Sequence, residues 1–295
     1  MTDDPFGTAR LRQAVLTAWS AQPARFREDA NAEEDHARGG YRDRVVVELA
    51  QNAADAASRG AGPGRLLLRL VDRGDGGLLL AANTGAPLDA DGVASLASLR
   101  ASAKRAEAPS ASVGRFGVGF AAVRSVADDV ALHTRAGAVH FSLARTQEAV
   151  AAEPALAAEL ARRDGVLPAL RLPWPGPLPA TPSAPGLLDD HGRPAGTWAT
   201  VVVLVLRDAA AVATVREQLD AVGDPLLLAL PGLDDVVVEA EGRSRALRDV
   251  ASRWVVATRT GPVPAGLLAD RPVEERTRTG WSVTWAVPRS PAAAG

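Results

Sequence analysis

The chain has 295 residues, 47% hydrophobic and 23% charged, with 33 Lys and Arg against 35 Asp and Glu and no cysteine. That length and apolar content allow one large globular core or two modest ones, and a net charge of -2 gives no electrostatic footprint for nucleic acid or an anionic membrane. The missing cysteine excludes disulfides, thiolate catalysis and cysteine metal sites, and four scattered histidines do not rebuild a zinc site.

The N-terminus, Met1-Thr2-Asp3-Asp4-Pro5, is acidic and lacks the basic and apolar regions of a signal peptide. The longest uncharged apolar run, Ala199 to Leu206, is too short to span a bilayer, so a cytoplasmic location without membrane attachment is expected. Isoleucine is absent, lysine occurs only at Lys104, and asparagine only at Asn31, Asn52 and Asn83. This usage reads as a coding bias against A/T-rich codons. Asn52, Asn83 and Lys104 survive it in or beside the candidate site described below.

In chain order, Leu11, Val15, Leu16 and Trp19 recur at helical spacing, and Arg25 to Glu34 predicts a second, more exposed helix ended by Gly39-Gly40. A long helix is predicted from Arg42 to Ser58, stopped by Gly60 and Gly62-Pro63-Gly64. Arg65 to Val71 and Leu78 to Ala82 read as strands joined by the turn Asp72-Arg73-Gly74-Asp75-Gly76-Gly77. After Asn83-Thr84-Gly85, a helix is predicted near Asp91 to Leu99. The stretch from Arg100 to Val113 has no periodic apolar face and reads as a mobile loop.

Gly119 to Ala127 predicts a helix, and Val130 to Thr134 with Val139 to Leu143 a hairpin turning at Ala136-Gly137. Glu153 to Gly196, rich in proline, predicts an irregular surface excursion. Valine-rich Thr200 to Leu206 predicts a strand buried on both faces, followed by a helix from Ala209 to Val222. Val236 to Ala240, Arg253 to Thr258 and Trp281 to Ala286 are strand-like. Helices and antiparallel strands mixed without strict βαβ alternation predict an α+β, two-layer α/β sandwich: a mixed, mostly antiparallel sheet with helices on one face.

Two segments carry candidate chemistry. Glu48, Asn52 and Asp55 stand at i, i+4 and i+7, on one stripe of a helix. Magnesium prefers oxygen ligands and keeps several waters, so an amide oxygen from Asn52 plus phosphate oxygens would anchor it. Glu48, one turn away, would be placed to deprotonate a water attacking a γ-phosphate. Taken alone, such a stripe reads more simply as a solvated helix face. The second segment is Gly114-Arg115-Phe116-Gly117-Val118-Gly119-Phe120, whose glycines allow backbone N–H groups to approach a phosphate chain at the start of a helix. It is neither the G-x-x-x-x-G-K-[ST] phosphate loop nor the strand-first dinucleotide fingerprint.

The ordered combination resembles the GHKL ATPases, the superfamily of DNA gyrase, the ninety-kilodalton heat-shock chaperones, sensor histidine kinases and mismatch-repair ATPases. Glu48-Leu49-Ala50-Gln51-Asn52-Ala53-Ala54-Asp55-Ala56 is similar to the acid and amide helix of the sacsin-like members. Gly114 to Val123 with Val126-Ala127-Asp128 is similar to the chaperone lid and the helix after it. The likeness covers roughly the first 210 residues.

That resemblance implies a Bergerat-type sandwich, with 1–207 as the ATP-binding domain and 208–295 as a C-terminal α/β extension packed on or continuous with it. It implies Glu48 as general base, Asn52 as magnesium ligand, and Asp55, Ala56 and Leu88 as pocket residues. Gly85 falls on the adenine turn; Gly114, Gly117 and Gly119 fall on the lid hinge, with Arg115, Phe116 and Val118 between them, and Phe120 on the pocket wall. Ser102 and Lys104 lie in the lid, where they would close over the β- and γ-phosphates.

Two positions depart from the family pattern. Asn83 stands where most members have an aspartate that accepts from the adenine amino group, although an amide oxygen also accepts. Pro87 replaces the second glycine of that turn. For the late threonine, Gly196-Thr197 matches the family's Gly-Thr pair, whereas Thr200 stands at the better distance from the strand end.

The implied ligands are ATP or ADP with Mg2+, and the implied activity is slow ATP hydrolysis by a chaperone-like module that couples nucleotide state to lid closure. Its partners would be a protein client or further domains of a longer chain, because Pro291-Ala292-Ala293-Ala294-Gly295 contains no effector region. The alternative is a nucleotide-binding switch or scaffold without turnover, which Asn83 favours and Glu48 opposes. A histidine kinase would need a helical hairpin presenting a phosphorylatable histidine, and His36 sits in a short acidic segment without one. A topoisomerase or mismatch-repair role would call for a basic DNA-binding domain, which the net charge does not support.

Overall fold

A computed structural model describes residues 4–39, 42–97, 119–178, 184–271, 276 and 279–289. The chain opens with helices Thr8–Ala21 (α1) and Pro23–Arg38 (α2), followed by Val45–Arg59 (α3), which is ended by Gly60. The apolar run Arg65–Asp72 (β1) turns back as Gly77–Asn83 (β2), with Leu66 paired to Asn83 and Asp72 to Gly77. Asp72 itself closes the turn, its carboxylate accepting from the Gly74 amide at 2.8 Å. Helix Ala90–Leu96 (α4) follows, its first turn capped by the Asp89 carboxylate accepting from the Gly92 amide.

Ala127–Thr134 (β3) and Gly137–Ser142 (β4) form the second hairpin, and helices Leu143–Ala151 (α5) and Ala157–Arg162 (α6) come after it. Trp174–Pro175 (β5) and Thr200–Leu206 (β6) complete that half of the sheet. Then come helices Ala209–Asp220 (α7) and Asp224–Ala229 (α8), and strands Asp235–Ala240 (β7) and Arg243–Leu247 (β8). The chain finishes with Val250–Arg253 (α9), Trp254–Pro262 (β9), Ala265–Ala269 (α10) and Gly280–Pro288 (β10).

Eight strands make one mixed sheet in the order β5-β4-β3-β6-β2-β1-β7-β8, and only the β1–β7 pairing is parallel. The fold is α+β. β6 lies near the centre between β2 and β3, as its unbroken valine and leucine run requires. One face carries α3 and α7, which pack on β1 and β2 and against each other. β7 joins beside β1, so residues beyond Leu206 extend the same sheet. β9 and β10 pair separately. Among the described residues no helix is long and apolar enough to cross a membrane.

The structure corrects three expectations. Gly119 to Ser125 is a 3-10 helix, and Ala127 already belongs to β3. The tighter winding delivers the chain to the sheet at once, and Arg124 ties the junction by donating to the Ala127 carbonyl at 2.6 Å. The proline-rich stretch is more than a surface excursion, since it contains α6 and β5. Its Leu178, Ala184 and Leu187 pack on the second sheet face against Leu78, Leu80 and Val203. Proline removes ladder donors, but leucine still covers an apolar sheet face. Lastly, α5, α8 and β8 were not expected from the sequence.

A separate apolar cluster joins α1, α2 and the α5–α6 region, with Trp19 and Phe26 edge to face at 5.1 Å.

Candidate functional site

Helix α3 is held by a stripe of small apolar residues, Ala50, Ala53, Ala54 and Ala57 with Leu49, all buried against the core. Alanine at these positions lets the helix sit close to the sheet and fixes the adjacent polar stripe. Glu48 and Asp55 are buried, Asn52 is half-buried, and Arg59 is exposed at the C-terminal end. Burial pushes the Glu48 carboxyl above its ordinary 4.5, and the charge of Arg44, one turn earlier, offsets part of that rise. Gly119, at the start of the 3-10 helix, packs directly on this carboxylate: a Cβ there would lie 1.9 Å from Glu48 Oε2.

The turn after β2 is clamped to the end of α3. Gly85 has φ +99°, and a Cβ on it would meet the Ala56 carbonyl oxygen at 2.4 Å, so both conformation and space demand glycine. The Ala86 amide donates to that same carbonyl at 2.8 Å. Thr84 fastens the other side, its hydroxyl donating to the Pro63 carbonyl and accepting from the Arg65 amide. Asn83 is thereby fixed in position, with Nδ2 donating to the Thr84 carbonyl at 2.8 Å. Directly across the ladder stands Thr200, whose hydroxyl accepts from the Leu88 amide at 3.3 Å.

These elements enclose a cavity of about 50 Å³. Asn52 and Ala56 contribute from α3, Asn83 from the end of β2, Leu88 from the following turn, Thr200 from β6 and Phe120 from the 3-10 helix. The floor is a patch of the sheet: Leu66, Ala81, Leu132 and Val202 lie on four adjacent strands, and Ala81, Val202 and Leu132 form one cross-strand row. Among the described lining residues Arg59 is the one charged side chain.

Not every sequence candidate lines this space. Glu48 and Gly119 meet each other beside it, Asp55 is buried on α3 outside the lining, Gly85 shapes the turn from behind, and Thr197 is exposed in the connection before β6. Ser102, Lys104, Gly114, Arg115, Phe116, Gly117 and Val118 lie outside the described residues. Leu96 and Phe120, on either side of that undescribed interval, both line the cavity.

Both flanks of that interval are anchored by one buried group of charges. Arg171 donates to the carbonyl of Ala97 at 2.6 Å, and Arg124 pairs at 3.2 Å with Glu33 of α2. Glu33 also accepts from the Leu170 amide at 3.1 Å.

Sequence reasoning missed the cavity floor and Arg59. Two signals for them were present: Ala81 is small and directly follows the leucine run Leu78 to Leu80, which leaves room above it, and Arg59 continues the spacing Glu48, Asn52, Asp55. Among the described residues no three His, Asp or Glu side chains converge as a metal cluster. Comparison of the sequence with protein-family models and with curated proteins gave no match.

Proposed function

We propose that the chain is a magnesium-dependent adenine-nucleotide-binding module of the GHKL type, built on a Bergerat-like sandwich, and that it hydrolyses ATP slowly. The observation that carries the reading is the single cavity shared by Asn52, Ala56, Asn83, Leu88, Phe120 and Thr200, residues from five separated segments that the motif order had grouped. An apolar floor bounded by a few fixed polar groups suits a flat heterocycle.

In this reading the base lies on Ala81 and Val202, with the Asn83 amide oxygen accepting from its exocyclic amino group and the Thr200 hydroxyl beside it. Asn52 offers an amide oxygen of the kind magnesium accepts, and the ion would neutralise phosphate charge when bound. Glu48, buried and raised in pKa, holds and orients a water as general base. Arg59, at the rim, meets an anionic ligand. Ligand pockets commonly measure roughly 300–1,000 Å³, so the cavity must widen on entry. Residues 208–295 would form the extension that transmits this change to further domains or to a client protein.

The test is calorimetric titration with ADP and Mg2+, followed by a phosphate-release assay with ATP. Binding that disappears in Asn52→Ala while the fold is retained supports the reading. Absence of wild-type binding at millimolar nucleotide overturns it, and binding without phosphate release favours a switch.

A further inference from the structure

The two-stranded ribbon of β9 and β10 presents an apolar face that nothing among the described residues covers. The register Val255↔Val287, Ala257↔Trp285, Arg259↔Val283 and Gly261↔Trp281 puts all eight side-chain positions on the same face. Seven of the eight are apolar or glycine. The large ones are open to solvent: Val255 at 51%, Trp285 at 51% and Val287 at 61% exposure. The opposite face is more polar, with the hydroxyls of Thr258 and Thr284 bonded at 3.0 Å. A two-stranded ribbon is at best marginally stable alone, and one with exposed tryptophans on one side calls for a cover.

We propose that this face is the contact between two copies of the chain, stacked ribbon on ribbon about a two-fold axis parallel to the strands. The shape of the face selects this occupant. Along β10 it is high, with Trp281, Val283, Trp285 and Val287; along β9 the low point is Ala257, between Val255 and Arg259, because Gly261 is covered within the same copy. Trp281 lies flat across Gly261, where a Cβ would come within 2.7 Å of the ring, and its indole donates to the Pro262 carbonyl at 3.1 Å.

Rotation about an axis along the strands sets β10 of each copy over β9 of the other at the same level. Trp285 then covers Ala257 of the second copy, and Val287 meets Val255. Arg259, the only charge on the face, enters between the two indoles of the second copy, where a guanidinium is favourable. Each residue thus meets, in the other copy, the equivalent of its own cross-strand neighbour, so that i meets j and j meets i, as an isologous interface requires. The strand ends carry Pro262 and Pro288, which disfavour edge-to-edge extension.

The exposed apolar side chains of one face amount to on the order of 400 Å². Two copies together approach the roughly 1,000 Å² expected of a weak specific interface, so the association is concentration-dependent.

Sedimentation velocity of the full chain between about 1 and 100 μM, the range suited to an interface of this size, tests the proposal. A shift from monomer to dimer is expected for the wild type and for Thr258→Glu, which alters the opposite face. Val283→Glu and, independently, Trp285→Ser are expected to remain monomeric with unchanged circular dichroism. A wild type that stays monomeric at the highest concentration, or a dimer that persists in both variants, overturns it.

Discussion

Glu48 and Gly119 are fitted to one another across 71 positions of sequence, the carboxylate occupying the space where any other residue at 119 would place its Cβ. Gly119 has no positive φ that would by itself demand glycine. Gly119→Ala is therefore tolerated by the backbone, and the clash falls on the flexible end of Glu48, which must swing aside. The expected outcome is a folded protein that binds nucleotide but hydrolyses it about 10- to 100-fold more slowly, a loss within what a misaligned general base costs. Single-turnover phosphate release measured beside ADP affinity checks this. Wild-type turnover in the variant would mean that the Glu48 carboxylate does not act from its observed position.

The burial of Glu48 gives a stability signature with a definite sign. Its folded pKa lies above the ordinary 4.5, so the native state binds the proton more tightly than the unfolded chain does. Stability contributed by this group is full below pH 4.5 and is lost as pH rises through the folded pKa. Glu48→Gln removes that loss. The variant is expected to match the wild type near pH 4 and to be more stable at pH 7–8, seen as a higher Tm there. Its hydrolysis should fall by about 10²- to 10⁴-fold. Thermal melts of both proteins across this pH range decide the matter, and a variant less stable than wild type at pH 8 contradicts the account.

The legible parts of this chain are those where one physical demand dominates a local segment. β6 needs burial on both faces, and seven consecutive apolar or β-branched residues from Thr200 announce it. α3 shows both its alanine packing stripe and its polar stripe. The illegible parts depend on distant surfaces. β8 has exposed Arg243, Ser244 and Arg245 and no alternation, and it is a strand because β7 offers an open edge. Leu178 and Leu187 look like loop residues until the second sheet face is known to need a cover. In the cavity, Asn52 and Asn83 stand out by chemistry, whereas Leu66, Leu132 and Val202 acquire a role only through register.

Asn83 is held with Nδ2 on the Thr84 carbonyl, which leaves its amide oxygen as the group available to a ligand. An acceptor at this point favours the amino group of adenine and opposes the carbonyl of guanine. ATP is therefore expected to bind more tightly than GTP, and Asn83→Ala should weaken ATP by about 0.5–1.5 kcal/mol, or roughly 2- to 12-fold, with little effect on GTP. Asn83→Asp would supply a charged acceptor but would set a carboxylate against the Thr84 carbonyl and lose the donor that fixes the turn. Competitive titration of the two nucleotides gives the answer; equal losses for both would show that Asn83 shapes the turn without reading the base.

Asp224 fastens the root of the β9–β10 ribbon to α8. Its carboxylate accepts from Arg253 Nη2 at 2.6 Å and Nε at 2.8 Å, and from the Trp254 indole at 2.7 Å. The Arg253 hydrogen bond, followed by that from Trp254, holds its pKa down to about 2, from an ordinary 3.8. The native state thus releases this proton more readily than the unfolded chain, and the stabilisation, present at neutral pH and down to 3.8, is lost as pH falls from 3.8 to about 2. Because Arg253 is 45% exposed, the pair is worth about 1 kcal/mol or less. Asp224→Asn keeps the shape of the side chain and removes its charge. It is expected to lower stability modestly at pH 7, with the difference from wild type vanishing near pH 2, and to raise hydrogen exchange in β9 while leaving β2 and β6 protected. Denaturant unfolding at the two pH values and exchange mapping test both halves; a stability gap that is unchanged at low pH would show that the indole and backbone packing at Trp254, rather than the charge of Asp224, hold the ribbon in place.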